Sequence, residues 1–303
     1  DATFHSMEEV NELSRASGRE GEYHQLSKGR ITDRWRQLSL GEPMLSSHSM
    51  DKRIHGHLSP SRGYVAMAVM PPPYFMLVDG REFGSGQVLV LDANSQRDFV
   101  SPGETACYTL IVPESVIVAS AQALFPRMRM NGGLASILAV PSSGWSTLHG
   151  EVTGLLRNGR ASHEDFSHLL SRFVSLMAGE PERRHEDVSL GIWSTFHVAR
   201  CAQEYIEDQY LHTIRLEDLC RYTGSSLRTL QRSFSRYFQV SPVEYLRARR
   251  LHAARPALLG GNPSQHKVSR IALENGFTHL GRFSVCYRKH FGESPNETLA
   301  RDK

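Results

Sequence analysis

Three polar side chains near the C-terminus have the chemistry and the spacing needed to contact the edges of DNA bases. Arg228, Gln231 and Arg232 fall in one stretch with helical periodicity, and their spacing places them on the same side of an α-helix. Arginine can donate two hydrogen bonds to guanine, and glutamine can bond adenine through its amide. Leu230 and Phe234 fall on the opposite face and predict a buried side. The stretch therefore predicts an amphipathic helix whose polar face contacts nucleic acid.

Arg232 has a second interpretation, because a guanidinium at this position could instead form a structural salt bridge with the preceding helical pattern. Glu217 and Asp218 lie in that pattern and carry suitable carboxylates. Arg228 and Gln231 are therefore preferred as base contacts, and Arg232 stays a candidate with both roles open.

The stretch occurs twice, as GSSLRTLQRSFSRYFQVSP at 224–242 and as FTHLGRFSVCYRKHFGESP at 277–295. At an offset of 53 residues, apolar positions match apolar positions and cationic positions match cationic ones. The matched pairs are Leu227 with Leu280, Leu230 with Phe283, Phe234 with Tyr287, Phe238 with Phe291 and Arg236 with Lys289. Each copy adjoins a shorter apolar helical pattern and a turn marked by Gly224 or Gly276. The repeat predicts two helix-turn-helix units, each with a basic second helix that can enter the major groove of DNA.

The second copy carries different polar residues on its outward face. Arg282 and Ser284 occupy outward positions, with Gly281 beside them. Phosphate contacts, which fix register without specifying a sequence, are expected from Arg288, Lys289 and Ser241. The DNA-contacting candidates of both copies are Arg228, Gln231, Arg232, Arg236, Ser241, Gly281, Arg282, Ser284, Arg288 and Lys289.

The last third of the chain, about 190–300, resembles the DNA-binding domain of the AraC/XylS family of bacterial transcription regulators. The residues that carry the resemblance are Leu230, Arg232, Phe234, Ser241, Pro242, Tyr245, Arg249, Leu251, Ala254, Ile271, Ala272, Gly276, Phe277, Phe283, Tyr287, Arg288, Gly292, Ser294 and Pro295. Gln239 departs from the family pattern, which has a helix-ending Gly there, so a non-Gly residue has to adopt a left-handed conformation. Gly281 and Val285 stand where the family usually has Ser and Arg. We therefore expect fewer base contacts from the second recognition helix.

The N-terminal half has a different pattern, with short β-rich runs separated by Gly, Pro, Asn and Asp. The runs lie at 34–40, 63–70, 74–78, 87–92 and 107–112. Such spacing with turn signals is typical of an antiparallel barrel or sandwich. The resemblance implies a cupin-like barrel at this place, in agreement with the pattern.

The chain is thus predicted to be a two-domain α+β protein: an N-terminal cupin-like antiparallel β-barrel with appended helices, and a C-terminal all-α domain with two helix-turn-helix units. The first domain covers 1–180, with the barrel over about 23–113 and helices over about 114–179. A charged linker at 181–189 leads to the DNA-binding domain at 190–303. That domain is predicted to hold helix-turn-helix units at about 214–237 and 267–290, joined by a linker helix at 242–259.

Charge is concentrated in one part of the chain. The formal net charge of the 303 residues is +3, but the segment 221–290 has thirteen Arg or Lys against two Glu. A basic surface confined to one domain is typical of phosphate binding. The four cysteines form no CxxC pattern and are expected to be reduced, mostly buried thiols. No membrane-spanning run or signal peptide is seen, so we expect a cytoplasmic, nucleoid-associated protein.

The sequence motifs give little support for catalysis or for metal binding. His55 and His57 could face one ion, but no third ligand follows at short spacing, so we expect no metal site. No nucleophile elbow, phosphate loop or dinucleotide fingerprint occurs, and we expect neither catalytic residues nor a cofactor. An apolar barrel mouth could still bind a small molecule, with Trp35, Tyr74, Phe75 and Phe83 as weak candidates.

The interpretation preferred is a sequence-specific regulator that binds double-stranded DNA and responds to a small-molecule effector in its N-terminal domain. The resemblance also implies possible contact with RNA polymerase. The apolar stripe of the helix at 161–179 predicts either core packing or a homodimer through the N-terminal domain. Two alternatives stay open: a constitutive architectural DNA-binding protein that only dimerises through that domain, and a cupin-type metalloenzyme with a DNA-binding tail.

Overall fold

The computed structural model of the protein describes residues 1–16, 19–39, 41–92, 95–126, 136–178, 190–263 and 266–301. Contacts between residues group the chain into two compact units. The first holds residues 1–23, 32–51 and 56–187, and the second holds residues 24–31, 52–55 and 188–303. The linker predicted at 181–189 lies outside the described residues.

The N-terminal half forms two β-sheets. The strands are β1 (Ala2–Phe4), β2 (Arg19–Glu20), β3 (Tyr23–Gln25), β4 (Asp33–Ser39), β5 (Met44–Met50), β6 (Ile54–Pro60), β7 (Tyr64–Val69), β8 (Phe75–Val78), β9 (Arg81–Gly84), β10 (Gln87–Leu91), β11 (Arg97–Ser101), β12 (Thr105–Pro113) and β13 (Ser136–Ala139). One sheet has the order β1-β4-β5-β12-β7-β10-β13, and the other has β2-β6-β11-β8-β9 with β3 beside β6. Within the described residues this strand pairing closes neither sheet into a barrel.

Five of these strands, β4, β7, β8, β10 and β12, coincide with the β-rich runs of the sequence, and the other eight, among them β5 and β6, do not. Their sequences, MLSSHSM and IHGHLSP, contain few of the residues that favour strands. β5 forms because it lies between β4 and β12, with paired residues along its whole length on both sides. Ser46 and His48 of this central strand are buried. Pairing with both neighbours therefore overrides local propensity here.

The helices are α1 (Met7–Ala16), α2 (Glu114–Leu124), α3 (Ser142–Asn158), α4 (His163–Ala178), α5 (Leu190–Gln209), α6 (Leu216–Thr223), α7 (Leu227–Tyr237), α8 (Pro242–Leu259), α9 (Val268–Glu274), α10 (Leu280–Phe291) and α11 (Pro295–Leu299). Within the described residues, no helix combines the length and the apolar character that a bilayer crossing requires.

The main apolar core of the first unit joins the seven-stranded sheet to α2, α3 and α4. Val65 and Leu110 of the sheet, Leu148 of α3, and Phe166 and Phe173 of α4 are all buried in it. Each such side chain contributes about 1.5–3 kcal/mol on burial. The apolar stripe of α4 is therefore part of this core, so that stripe does not require a second copy of the chain to cover it.

In the second unit the repeat seen in the sequence is also a repeat of helix caps. Ser241 is the N-cap of α8 and Ser294 is the N-cap of α11, at the same offset of 53 residues. Each serine hydroxyl accepts the N–H of a glutamate three residues on, Glu244 or Glu297, and each glutamate carboxylate accepts the serine N–H. A capping box of this kind fixes the entry of the chain into the helix. Each recognition helix is thus followed by a helix with the same start.

Two short segments from the N-terminal half, 24–31 and 52–55, belong to the second unit. The backbone N–H of Gln25 donates to Nε2 of His252 at 3.0 Å, and its side-chain amide donates to the carbonyl of His290 at 3.3 Å. The N–H of Gly29 donates to the carbonyl of Lys289 at 2.9 Å. Burial lowers the pKa of His290 to about 4 and lowers that of His252 as well. Both imidazoles are therefore neutral near neutral pH.

Candidate nucleic-acid interface

The first recognition helix, α7, exposes the side chains that the sequence selects for base contacts. Arg228, Gln231 and Arg232 are exposed, while Leu230 and Phe234 on the opposite face are fully buried. Within the described part of the chain, none of the three polar side chains forms an ion pair. Their donors are therefore available to a ligand on the outer side of the helix.

For Arg232 the alternative of a structural salt bridge is not realised among the described residues. The carboxylate of Asp218 instead accepts the N–H of Arg215 at 2.9 Å and lies 3.4 Å from the guanidinium of Arg221. Arg232 extends from the exposed face of α7. Of its two possible roles, contact with DNA fits this placement better.

The second recognition helix, α10, presents fewer hydrogen-bonding groups. Arg282 and Ser284 are exposed, and the hydroxyl of Ser284 donates to the carbonyl of Leu280 at 3.2 Å. Val285 is 54% exposed, and a side chain at Gly281 would meet open space. At the offset of 53 residues, Gly281, Ser284 and Val285 match Arg228, Gln231 and Arg232. The three matched positions thus carry one polar group in α10 and three in α7.

The buried stripes of both helices are shorter than the sequence pattern predicts. Leu227 is 44% exposed and Leu280 is 41% exposed, although both were expected on the packed side. Each is the first residue of its helix, so no preceding helical turn covers it. The packed side begins instead at Leu230 in α7 and at Phe283 in α10, which are fully buried.

The phosphate-contact candidates differ in how available they are. Arg236, Arg288 and Lys289 have exposed side chains. The hydroxyl of Ser241 is used within the protein, because it donates to the carboxylate of Glu244 at 2.8 Å and accepts the N–H of the same residue at 3.3 Å. A phosphate at Ser241 would have to replace the first of these bonds.

The ends of the two recognition helices confirm one expectation from the sequence. Gln239 follows α7 with a φ of 53°, and Gly292 follows α10 with a φ of 78°. Left-handed backbone is common for Gly and rare for a residue with a side chain. The first helix therefore ends in the same conformation as the second, without the glycine.

A second set of arginines holds the two helix-turn-helix units together, and the sequence pattern does not predict this role. Arg250 of α8 donates to the carbonyls of Tyr210 and His212, each at 2.7 Å, and to the carbonyl of Gly276 at 2.9 Å. One side chain thus ties the chain after α5 to the turn before α10. Burial lowers the pKa of Arg250, but three carbonyl partners satisfy its charge.

Arg255 of α8 forms the centre of a buried polar cluster. Its guanidinium donates to the carboxylate of Glu293 at 2.7 Å and to the hydroxyl of Tyr287 at 3.2 Å. The Tyr287 hydroxyl donates to Thr298 at 3.0 Å, and burial raises the pKa of Tyr287. These bonds join α8 to α10 and α11, so the second recognition helix is fixed to the linker helix.

The arginines of 221–290 therefore form two groups. Arg249, Arg250 and Arg255 have partners inside the domain, whereas Arg228, Arg232 and Arg282 are exposed. Charge counting alone could not separate the two groups. The signal in the sequence is that the arginines of α8 fall among apolar residues.

The first unit encloses an apolar cavity of about 80 Å³. Of the four ligand candidates, Phe83 lines it. Trp35 does not line it but packs edge-on against His48, which does. Tyr74 precedes β8 and is half-buried, with its hydroxyl 3.4 Å from Glu104, and Phe75 is also half-buried. The residues lining the cavity are Val10, Tyr23, His48, Met50, Leu58, Ser59, Pro60, Ala66, Ala68, Met76, Phe83, Leu89, Leu91, Phe99, Cys107 and Thr109.

His55 and His57, the possible metal ligands, have separate partners. Nδ1 of His57 lies 2.7 Å from the carboxylate of Asp98, and Nδ1 of His55 lies 3.0 Å from the hydroxyl of Tyr245. Among the described residues no group of three His, Cys, Asp or Glu is placed to hold a metal ion. The four cysteines are outside disulfides, as expected, but they are half-buried and not fully buried.

Comparison with known proteins agrees with this geometry. A family model described as a helix-turn-helix domain matches residues 219–301. The chain is 35% identical over 100 residues to the XylDLEGF operon transcriptional activator 2 of Pseudomonas putida, which is 33% of this chain and 64% of that protein. It is 34% identical over 102 residues to the probable thc operon regulatory protein of Rhodococcus erythropolis, which is 34% of this chain and 31% of that protein. The chain thus spans less than two thirds of the length of these relatives.

Part of the chain is also similar in sequence to a solved structure. The crystal structure of a probable AraC family transcriptional regulator from Rhodopseudomonas palustris is 37% identical, with a TM-score of 0.32, and the match covers 34% of this chain and 94% of that one. By these sequence similarities, residues 219–301 match a helix-turn-helix domain, and about a third of the chain is similar to the operon regulators named above.

Proposed function

We propose that the protein is a transcription regulator that binds specific DNA sequences through the domain at 190–303. The proposal is supported above all by the exposed Arg228, Gln231 and Arg232 on a helix whose other face is buried. α8 joins α7 to α10, and two recognition helices joined in this way would occupy successive major-groove segments about 34 Å apart. The base contacts would come from α7 and Arg282, and the phosphate contacts from Arg236, Arg288 and Lys289.

Binding to a selected site should weaken steeply as salt concentration rises, because each phosphate neutralised by a cation releases counterions. The slope of log affinity against log salt is about −0.9 per phosphate contact. The three exposed cations proposed to contact phosphates, Arg236, Arg288 and Lys289, therefore predict a slope that corresponds to several phosphate contacts. The site would be selected from random DNA with the full chain, and affinity followed by fluorescence anisotropy. Arg270→Ala is the matched control, since Arg270 pairs with Glu274 on α9 and should leave the slope unchanged. Salt-insensitive binding would contradict the proposal.

The proposal extends to the first unit, where we place a small-molecule effector. The two sheets would form a cupin-like domain, and the 80 Å³ cavity with its apolar lining is the space for the ligand. Ligand binding there would change occupancy of the DNA site. The relatives named above are an operon activator and an operon regulator, and we propose activation, with RNA polymerase as a partner and a homodimer as the active form.

A small apolar ligand should raise the melting temperature of the full chain, because a ligand that binds only the folded state stabilises it by about 2.7 kcal/mol at a hundred times its dissociation constant. Ala68→Phe fills the cavity that Ala68 lines and should abolish the shift. Tyr74→Phe, outside the cavity, is the control and should retain it. If the filled variant responds as the natural protein does, the ligand binds elsewhere. A constitutive architectural protein would show no ligand-dependent shift.

A further inference from the structure

Three chemically active side chains lie on neighbouring strands beside this cavity, and two of them line it. β4, β5 and β12 are adjacent in the seven-stranded sheet and carry Asp33, His48 and Cys107. Cys107 is the direct cross-strand partner of His48, and both residues line the cavity. Directly opposed residues in an antiparallel pair have Cβ atoms about 4.5–5.5 Å apart on one face of the sheet. The thiol and the imidazole are therefore neighbours in an apolar space.

The imidazole of His48 is held in a defined orientation. Its Nδ1 lies 3.5 Å from the carboxylate of Asp33, whose side chain is fully buried. The ring of Trp35 packs edge-on against it, with ring centroids 3.5 Å apart. With Nδ1 toward the carboxylate, Nε2 is the nitrogen that can accept a proton from the thiol, and the carboxylate stabilises the imidazolium that results. A thiol next to a base that is itself oriented by a third group is the arrangement of an activated nucleophile.

We propose that Cys107 is a reactive thiol that takes small, uncharged, apolar electrophiles of the α,β-unsaturated carbonyl class, and that this addition is the signal for the regulator. The second part rests on the proposed function. The apolar lining, with Ala66, Ala68 and Leu89, favours an uncharged molecule. Within the described residues no Lys or Arg lines the cavity, so an anionic ligand would find no cation there to offset its desolvation.

The addition needs no second reagent. His48 takes the proton of the Cys107 thiol, and the sulfur lone pair forms a bond to the β-carbon of the electrophile. The π electrons of the carbon–carbon double bond move to the α-carbon. The α-carbon then takes the proton from the His48 imidazolium, which leaves a thioether and a neutral imidazole. Nothing is oxidised or reduced by an outside partner.

The chain supplies its own matched controls, because Cys201, Cys220 and Cys286 are also half-buried thiols. Cys201 lies 3.4 Å from a ring nitrogen of His197, yet burial, followed by the charge of Glu204, raises the pKa of its thiol. N-ethylmaleimide is a suitable neutral probe, and its carboxyethyl analogue has the same electrophile with a negative charge. Mass spectrometry of peptides from the full chain gives the labelling rate of each cysteine separately.

We expect N-ethylmaleimide to label Cys107 at least about tenfold faster than the other three thiols, since a thiolate and not a thiol is the nucleophile. The negatively charged carboxyethyl analogue should not label Cys107 faster than the other three thiols. His48→Gln should lower the labelling rate of Cys107 about tenfold and move the increase of that rate with pH to higher pH. The labelling rates of the other three cysteines should stay unchanged. Equal rates at all four thiols in the natural protein would overturn the proposal without any variant, as would a His48→Gln protein that labels Cys107 at the natural rate.

The regulatory part is tested separately, by the affinity of labelled and unlabelled protein for the selected DNA site. A change in affinity that is lost in Cys107→Ser supports the thiol as the signal receiver. Fast labelling of Cys107 with no change in affinity for DNA would overturn the signalling role, although Cys107 would still be a reactive thiol. Absence of specific DNA binding by the unlabelled protein would refute the proposed function itself, whatever the labelling rates.

Discussion

Glu293→Ala should destabilise the second unit by about 3–5 kcal/mol, because it leaves a buried guanidinium without its carboxylate. The side chain of Arg255 is only 4% exposed, and its guanidinium lies 2.7 Å from Glu293. The variant keeps the hydroxyl of Tyr287 and the ring of Phe291, 4.5 Å from the guanidinium carbon, as neighbours of the cation. Neither can replace a negative charge. Urea unfolding of the full chain, followed by far-ultraviolet circular dichroism, would measure the loss.

Glu274→Ala is the matched control for this prediction. Glu274 also forms an ion pair with an arginine, Arg270, but both side chains are more than half exposed and lie one turn apart on α9. Exposed pairs of this kind contribute about 0.3–0.5 kcal/mol. If Glu293→Ala and Glu274→Ala lower the free energy of unfolding by similar amounts, the pair of Arg255 with Glu293 contributes no more than an exposed ion pair.

The pH dependence of the same variant adds an independent measurement. Burial alone would raise the pKa of Glu293, but hydrogen bonds from Thr298 and Arg255 and the charge of Arg301 outweigh it, and the pKa is lowered. A carboxyl whose folded pKa is lowered contributes stability that is present above its unfolded pKa of about 4.3 and is lost as pH falls through the folded value. The stability difference between the natural protein and Glu293→Ala should therefore narrow in acid.

The helices of the second unit could be predicted from the sequence because their signals are local and repeated. Buried positions such as Leu230 and Phe234 recur at helical spacing, and Ser241 and Ser294 cap helices with a glutamate three residues later. The three hydrogen bonds that Arg250 donates could not be predicted in this way. Its partners are backbone carbonyls, which leave no trace in the sequence, and two of them lie about forty residues away.

The first unit was less predictable because its contacts are between distant residues. β5 has little strand propensity and forms through its neighbours β4 and β12. The pairing of His48 with Cys107 joins residues 59 positions apart, so neither residue suggested the other. The aromatic ring of Trp35 makes it a ligand candidate by residue type, whereas in the structure the ring packs against His48 and does not line the cavity. Residue type could identify an apolar domain but not which side chains face its cavity.

Arg228→Ala or Gln231→Ala should reduce affinity for the selected DNA site by about 1–3 kcal/mol and relax the preference at one base position. The reason is that both side chains extend from α7 without ion-pair partners in the described part of the chain. Lys289→Ala should weaken binding to all sequences about equally, because a phosphate contact carries no base preference. Anisotropy measurements on a panel of single-base variants of the site would separate the two patterns. A uniform loss from both Arg228→Ala and Lys289→Ala would show that α7 does not contact bases.

The same panel tests the inequality of the two recognition helices. Gly281 and Val285 replace the two arginines at the matched positions of α10, so the half-site under α10 should tolerate base changes better than the half-site under α7. Because Val285 is more than half exposed, Val285→Arg meets no packing obstacle and should raise affinity and sharpen preference in that half-site. Equal base preference under both helices in the natural protein would refute the inequality. A stronger preference under α10 would mean that Arg282 and the shape of the DNA, and not the number of polar side chains, determine specificity there.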